Sequence, residues 1–378
     1  MPLYESVIQE KPPIVLDIGN AYTKLGFAAE AHPRKIIPTT VVLSTTSETK
    51  RLFDFADTTE FYDQIVDFLQ MIFFKHLLVS PKERKIVVVE NIFGQTVTRE
   101  TLARVLFKHF DMSSVLFVPA HLISLSTLAL PTAVVVDIGY SEVTVMPVFS
   151  GVQIMPAFMD QSYGGSAVHN EIKRQLVASG IKESLLTENV LEDIKVRVCF
   201  VTTFERAQAR LKGNEPQPTP SPSVDYPICD YDTIIEIPGI VRETVYEIMF
   251  EQSNERDSLP HLILRAILEC SVDVRRALLE SIFLIGGGAM VMGLLPRLKQ
   301  ELQHLLETDA YYKDRFHGEV EFKFYKPIGK ENFTAWLGGA LCGATDLIQT
   351  RSLTKDAYAR NEHVPDWTNL CDNRHAGS

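Results

Sequence analysis

Basic residues are in short supply in this chain. It carries 37 Lys and Arg against 48 Asp and Glu, a formal net charge of −11, and no long basic run occurs. Proteins that grip a nucleic-acid backbone draw much of their affinity from clustered Lys and Arg, so no nucleic acid is expected as the main partner. Cysteine is sparse and unpatterned: Cys199, Cys229, Cys270, Cys342 and Cys371 are odd in number, widely scattered, and show no zinc-binding or redox spacing. Reduced thiols in a cytosolic protein are the plain expectation. Long apolar runs are missing as well, since the nearest candidate, Leu69 to Val79, is broken by Lys75 and His76. No bilayer-spanning segment and no membrane insertion are expected. Met1 to Pro13 has no positively charged start leading into an apolar stretch, so no secretory signal is expected there. What remains is an ordinary globular composition, 46% hydrophobic and 22% charged, in a chain of 378 residues, for which two domains are the default.

The most informative pattern present is a repeat. An apolar run ending in Asp-Ile-Gly occurs as Ile14 to Gly19 and again as Val134 to Gly139, and each copy is followed by a second extended segment, Tyr22 to Phe27 and Val143 to Phe149. A buried strand that delivers a carboxylate and a glycine to a tight turn can hold backbone amides against a phosphate, with the aspartate placing a hydrated cation beside it. Two such turns facing each other would clamp the phosphate tail of a nucleotide. A single Asp-Gly turn often only satisfies its own backbone, but two copies on matching frames point to a duplicated phosphate clamp. Lys24, in the strand after the first turn, can reach phosphate oxygens, or can equally be an exposed strand lysine.

Elsewhere, Ser44 to Asp57 reads as a polar surface loop. Glu60 to Leu78 places Phe61, Ile65, Phe68, Leu69, Ile72 and Phe73 at helical spacing. Lys85 to Glu90 and Val115 to Val118 read as strands, with helices over Thr98 to Phe110 and His121 to Leu130, an α/β alternation. Helices are expected from Gly165 to about Val177, Glu188 to Phe200, Val241 to Phe250, Leu259 to Leu268, Val272 to Glu280 and Leu294 to Leu306. The proline-rich tract Pro216 to Pro222 reads as a solvated, extended excursion. Ile282 to Ile285 reads as a buried strand running into Gly286-Gly287-Gly288, which lets a backbone approach a ligand closely and frees amides at a helix start. The glycines in Trp336-Leu337-Gly338-Gly339-Ala340 are expected to let a late helix pack closely against another backbone. No Ser/His/Asp or Cys/His constellation stands out, so no catalytic residue is assigned. His121 could touch a nucleotide but is more often a helix-start residue with local hydrogen bonds.

Taken together these segments resemble the actin family across nearly the whole chain. Asp17 to Ala28 resembles actin's first phosphate loop and strand, Val136 to Gly139 the second loop, and Asp193-Ile194-Lys195 with Cys199-Phe200 the helix bordering the adenosine. Cys270, Val272 to Arg275 and Ile282 to Met290 resemble the stretch ending in the adenosine-loop glycines, while Trp336 to Gly339 and Leu353 to Tyr358 resemble the C-terminal helices. The resemblance implies an α/β, actin-like fold of two related domains with a nucleotide cleft between them. Domain I would comprise 1–140 and 336–378, including a strongly reduced small subdomain at 38–59 and a C-terminal tail at 361–378. Domain II would be 141–335, with a proline-rich loop at 213–225 inside 181–258. ATP or ADP with Mg would be held by Asp17, Gly19, Asn20, Ala21, Lys24, Asp137, Gly139, Lys195, Gly286, Gly287, Gly288 and Met290, with Asp17 and Asp137 reaching the metal through water.

The departures from actin are as telling. Asn20 stands at the hydroxyl position of the first loop, Tyr140 where an acidic residue follows Gly139, and Ser141 in place of a glycine. The glutamine and histidine that serve the attacking water fall on Ala120 and Thr144, and near the base Val196 and Val291 replace an acidic and an aromatic residue. Phosphoryl transfer depends on placing the nucleophile in line, so weak or absent ATP hydrolysis is expected, with nucleotide binding retained or weakened. Between Pro38 and the helix near Glu60, actin has a small subdomain with the loop that inserts into the next subunit at the pointed end. Here only a polar stretch remains. With the extra tail around Val364-Pro365-Asp366-Trp367, this resembles the actin-related proteins that end the short filament of dynactin, surrounded by dynactin subunits four, five and six. The implied role is structural: capping the pointed end, limiting filament length and supporting a complex that links dynein to cargo, in the cytoplasm and on the cytoskeleton. Trp367 could anchor a partner or fold back on its own domain. The competing expectation is an actin-fold ATPase or small-molecule kinase, since one fold hosts many chemistries.

Overall fold

The computed structural model describes residues 11–42, 49–91, 94–213, 217–228, 233–316 and 320–365. The chain forms two compact units: one runs to Pro131 and resumes at Pro327, and the other is Thr132–Lys326.

In the first unit, β1 (Ile14–Ile18) and β2 (Tyr22–Phe27) form a hairpin in which Asp17 faces Lys24. β3 (Lys35–Pro38) extends the sheet beside β2. Ile14, Val15 and Leu16 are all fully buried, the continuous apolar run of a strand covered on both faces. β4 (Thr40–Val42) pairs with β5 (Thr49–Arg51) in a separate two-stranded ribbon. This ribbon and the residues after it depart from the expected surface loop, of which residues 44–48 lie outside the described residues. Leu52 is 1% exposed, and Phe55 stacks on Phe61 with centroids 4.2 Å apart. Apolar side chains spaced among polar ones supplied an anchor that composition alone hid.

Helix α1 (Thr58–Gln70) is capped by the Asp57 carboxylate, which accepts from the Thr59 and Glu60 amides, and it continues as a wider turn over Met71–His76. All six apolar residues that predicted it are buried. β6 (Lys85–Glu90), α2 (Thr96–Arg104) and β7 (Ser114–Pro119) follow, then α3 (Ala120–Ser126). β1, β6 and β7 are parallel neighbours.

The second unit repeats this frame. β8 (Ala133–Ile138) and β9 (Val143–Phe149) form a hairpin, and β9 also pairs with β10 (Val152–Gln153) and β11 (Met159–Gln161). Helices α4 (Gly165–Ala178), α5 (Glu188–Arg197) and α6 (Phe204–Leu211) come next. The proline-rich tract carries neither helix nor strand over 217–223, in keeping with the expected extended excursion, and an antiparallel ribbon of β12 (Val224–Ile228) and β13 (Thr233–Ile237) follows it. Then come α7 (Gly239–Thr244), α8 (Leu259–Leu268), α9 (Val272–Leu279), β14 (Ile282–Ile285), α10 (Leu294–Thr308) and β15 (Phe324–Tyr325). β14 lies parallel to β8, as β6 lies parallel to β1. The repeat in sequence is therefore a repeat in topology: a hairpin whose first strand gains a parallel neighbour on its other edge. Because β8 bonds both β9 and β14, the division expected after residue 140 falls at Pro131, and the return expected at 336 falls at Pro327.

Back in the first unit, α11 (Thr334–Gly343) buries Trp336 completely, with its indole N–H donating to the Val15 carbonyl at 3.1 Å. A β-carbon on Gly338 would collide with the Ile123 carbonyl, and one on Gly339 would come within 2.6 Å of Val89. The close helix packing expected from these glycines is present. β16 (Leu353–Thr354) then adds to the β7 edge and α12 (Lys355–Asn361) follows. Asp366 and Trp367 lie outside the described residues, as do Cys229 and Cys371. Cys199, Cys270 and Cys342 are buried free thiols.

Candidate functional site

The first Asp-Ile-Gly turn gathers five of the expected residues on one hairpin. Cross-strand register places Asp17 opposite Lys24, and their charged groups lie 3.0 Å apart, each about 15% exposed. The Gly19 amide donates to the Tyr22 carbonyl at 3.2 Å, and a β-carbon on Gly19 would stand only 2.9 Å from that oxygen, so glycine suits the turn. Asn20 and Ala21 form its tip. The tip is braced from the neighbouring segment: Arg51 donates to the Asn20 carbonyl at 3.2 Å, and the Thr39 amide donates to the Ala21 carbonyl at 2.9 Å. The β4–β5 ribbon thus supports the turn that precedes it.

In the second unit, β8 and β14 end side by side, bringing Asp137 and Gly139 to the triple glycine. Gly286 has φ of +89°, and a β-carbon there would collide with the Asp137 carboxylate and the Ile138 carbonyl. A β-carbon on Gly288 would collide with the Ile138 side chain. Gly287 is different: it is exposed, and nothing lies within 4 Å of where its β-carbon would be. Two of the three glycines answer to packing within the unit, and the middle one leaves open backbone.

The rest of the second turn is occupied by its own chain. The amides of Gly165 and Ser166, at the start of α4, donate to the carbonyls of Gly139 and Tyr140 at 3.0 and 2.8 Å. The Tyr140 ring meets His169 edge-on at 5.7 Å, and its hydroxyl donates to the Glu188 carboxylate. His169, 3% exposed, bonds Glu188 through Nδ1 at 2.8 Å and Glu192 through Nε2 at 2.9 Å. Lys195 is drawn into the same cluster, 2.6 Å from Glu192 and 3.0 Å from His169 Nε2. Burial alone would push the Glu192 carboxyl up, but the His169 hydrogen bond and the Lys195 charge override it and hold the group down at about 2.

A nucleotide with Mg, the expected ligand, is compatible with the chemistry of these residues. The Asp17–Lys24 hairpin supplies a carboxylate and an ammonium beside a glycine turn, and Gly287 offers unobstructed backbone. Lys195, like Lys24, is paired with a carboxylate of its own chain, and the Gly139 amide, like that of Gly19, donates within its own turn, here to the Glu142 carbonyl at 3.0 Å. Met290 is 45% exposed, and Val196 beside Lys195 is 68% exposed. Ala120 opens α3 and Thr144 sits in β9, both buried, and His121 is 1% exposed with its imidazole pushed down to about 4 by burial. Among the described residues, no three His, Cys, Asp or Glu side chains gather as a metal site.

Sequence reasoning missed Glu188, Glu192 and His169. The helical spacing of Glu188, Glu192 and Lys195 was readable, but His169 comes from another helix, and nothing local in the sequence pairs the two.

A family model for actin matches residues 58–185 and 182–369. The chain is also 25% identical to the actin-related protein 10 of Dictyostelium discoideum over 440 aligned residues, which cover 96% of this chain and 90% of that relative.

Proposed function

The chain belongs to the actin family, and from that premise we propose that it is a structural subunit that caps the pointed end of the short actin-related filament of dynactin. Likeness to an actin-related protein 10 supports a specialised family member rather than a conventional actin. The observation that carries the capping reading is the reduced segment between β3 and α1, where the described structure is the β4–β5 ribbon followed by a short anchored turn. In actin that segment carries the loop that inserts into the next subunit at the pointed end. A subunit without it joins a filament end and accepts nothing beyond itself.

Within this reading the neighbours are the last filament subunit and dynactin subunits four, five and six, with dynein and cargo reached indirectly in the cytoplasm. ATP hydrolysis is weak or absent, since Ala120 and Thr144 stand at the positions that serve the attacking water. Any ATP or ADP with Mg is retained as a structural ligand through Asp17, Lys24 and the glycines. The test is an elongation assay on actin-related filament seeds marked for polarity. Purified chain should stop growth at the pointed end alone, and filaments formed by the chain itself would overturn the proposal.

A further inference from the structure

The proline-rich tract is a strap clamped onto the second unit, and its clamp selects one residue for modification. Glu243 on α7 is fully buried, and its carboxylate is held by Arg206 at 3.0 Å and by Arg210, both on α6. The same carboxylate accepts from the Ser221 amide and hydroxyl, each at 3.3 Å. Arg206 donates to the Thr219 carbonyl at 2.8 Å and Arg242 to the Pro222 carbonyl at 2.5 Å. The strap is thus gripped by its carbonyls and by Ser221, while the Thr219 side chain stays outside the grip. Residues 217–223 carry neither helix nor strand, and the prolines at 218, 220 and 222 hold Thr219 and Ser221 in extended backbone.

Three Ser/Thr-Pro dipeptides occur in the chain: Ser80-Pro81, Thr219-Pro220 and Ser221-Pro222. Pro81 is buried, and Ser221 is partly buried with its hydroxyl on Glu243. Only Thr219-Pro220 has both residues exposed. We propose that Thr219 is a phosphorylation site for a proline-directed Ser/Thr kinase, whose substrate groove takes an extended segment with proline after the acceptor. The γ-phosphoryl of a nucleoside triphosphate bound to that kinase passes to Thr219 Oγ1. The bond to the diphosphate breaks as the new P–O bond forms, and the hydroxyl proton leaves to solvent. The product adds a charge of about −2 beside Arg206, whose side chain is 36% exposed. Among the described residues Arg210 Nη1 has no hydrogen-bond partner, so the clamp has donor capacity left.

The test treats the purified full chain with a proline-directed kinase and ATP, beside a synthetic peptide of residues 212–226 as the unclamped reference, with phosphate located by mass spectrometry. The full chain should take phosphate on Thr219 in preference to Ser221 by at least about tenfold, because reaching Ser221 requires local opening that breaks its bonds to a buried carboxylate. The peptide should show a much smaller preference, and Thr219→Ala should cut labelling of the full chain by at least about tenfold. Labelling of Ser221 or Ser80 ahead of Thr219, or no labelling of the full chain, would overturn the proposal.

Discussion

The ammonium of Lys195 lies 2.6 Å from the carboxylate of Glu192, so a lysine that the family resemblance assigns to a nucleotide is held by the chain's own charge. Glu192 also meets His169, and its carboxyl is held at about 2 against an ordinary 4.5. A depressed carboxyl contributes stability that is present above 4.5 and is lost as pH falls toward 2. Glu192→Gln is expected to destabilise the chain at neutral pH by up to about 3 kcal/mol. In urea titrations the wild type and the variant should converge as the pH is lowered through that window. A difference that persisted unchanged at the acid end would refute the role given to the ion pair.

Gly286 and Gly287 offer a contrast within one motif. Gly286→Ala pushes a methyl into the Asp137 carboxylate at positive φ and should cost about 2–4 kcal/mol. Gly287→Ala meets open space and should change stability by no more than about 0.5 kcal/mol, as at an ordinary surface position. Thermal unfolding of the two variants checks this, and equal losses would show that the triple glycine serves packing alone.

Much of the fold was legible because its strands are apolar and its helices amphipathic. β6 and α8 lie at the predicted residues, and the paired Asp-Ile-Gly turns sit on matching hairpins as the repeat implied. Elements that depend on distant partners were not legible. The β12–β13 and β4–β5 ribbons are short, and their side chains are held by residues of other elements: Tyr226 in β12 donates to Asp193 at 2.6 Å, and Lys50 in β5 pairs with Glu60 at 2.8 Å. For the candidate site, residues within one turn were readable, whereas the Tyr140, His169, Glu188 and Glu192 cluster joins three segments and left no local signature.

Glu243 is the anchor of the proline-rich strap, and its removal leaves Arg206 and Arg210 without their buried counter-charge. Glu243→Ala should destabilise the second unit by about 3–5 kcal/mol. It should also raise amide exchange over 217–223 more than in the rest of that unit. Burial pushes this carboxyl up, but the two arginines override it and hold it below the ordinary value, so the clamp should be intact at neutral pH and loosen in acid. Exchange over 217–223 that does not respond to the substitution would contradict the clamp.

Hydrolysis gives a direct kinetic expectation. If, as proposed, Ala120 and Thr144 stand where actin's water-serving residues would be, turnover of Mg-ATP should be at least about 100-fold slower than that of a conventional actin assayed alongside. Comparable turnover would restore the enzyme reading.

The central claim is positional, and electron microscopy of native dynactin carrying a compact label fused after Ser378 tests it most directly. Label confined to one end of the filament, the pointed end, is the predicted result. Label distributed along the filament, or absent from it, would contradict the account.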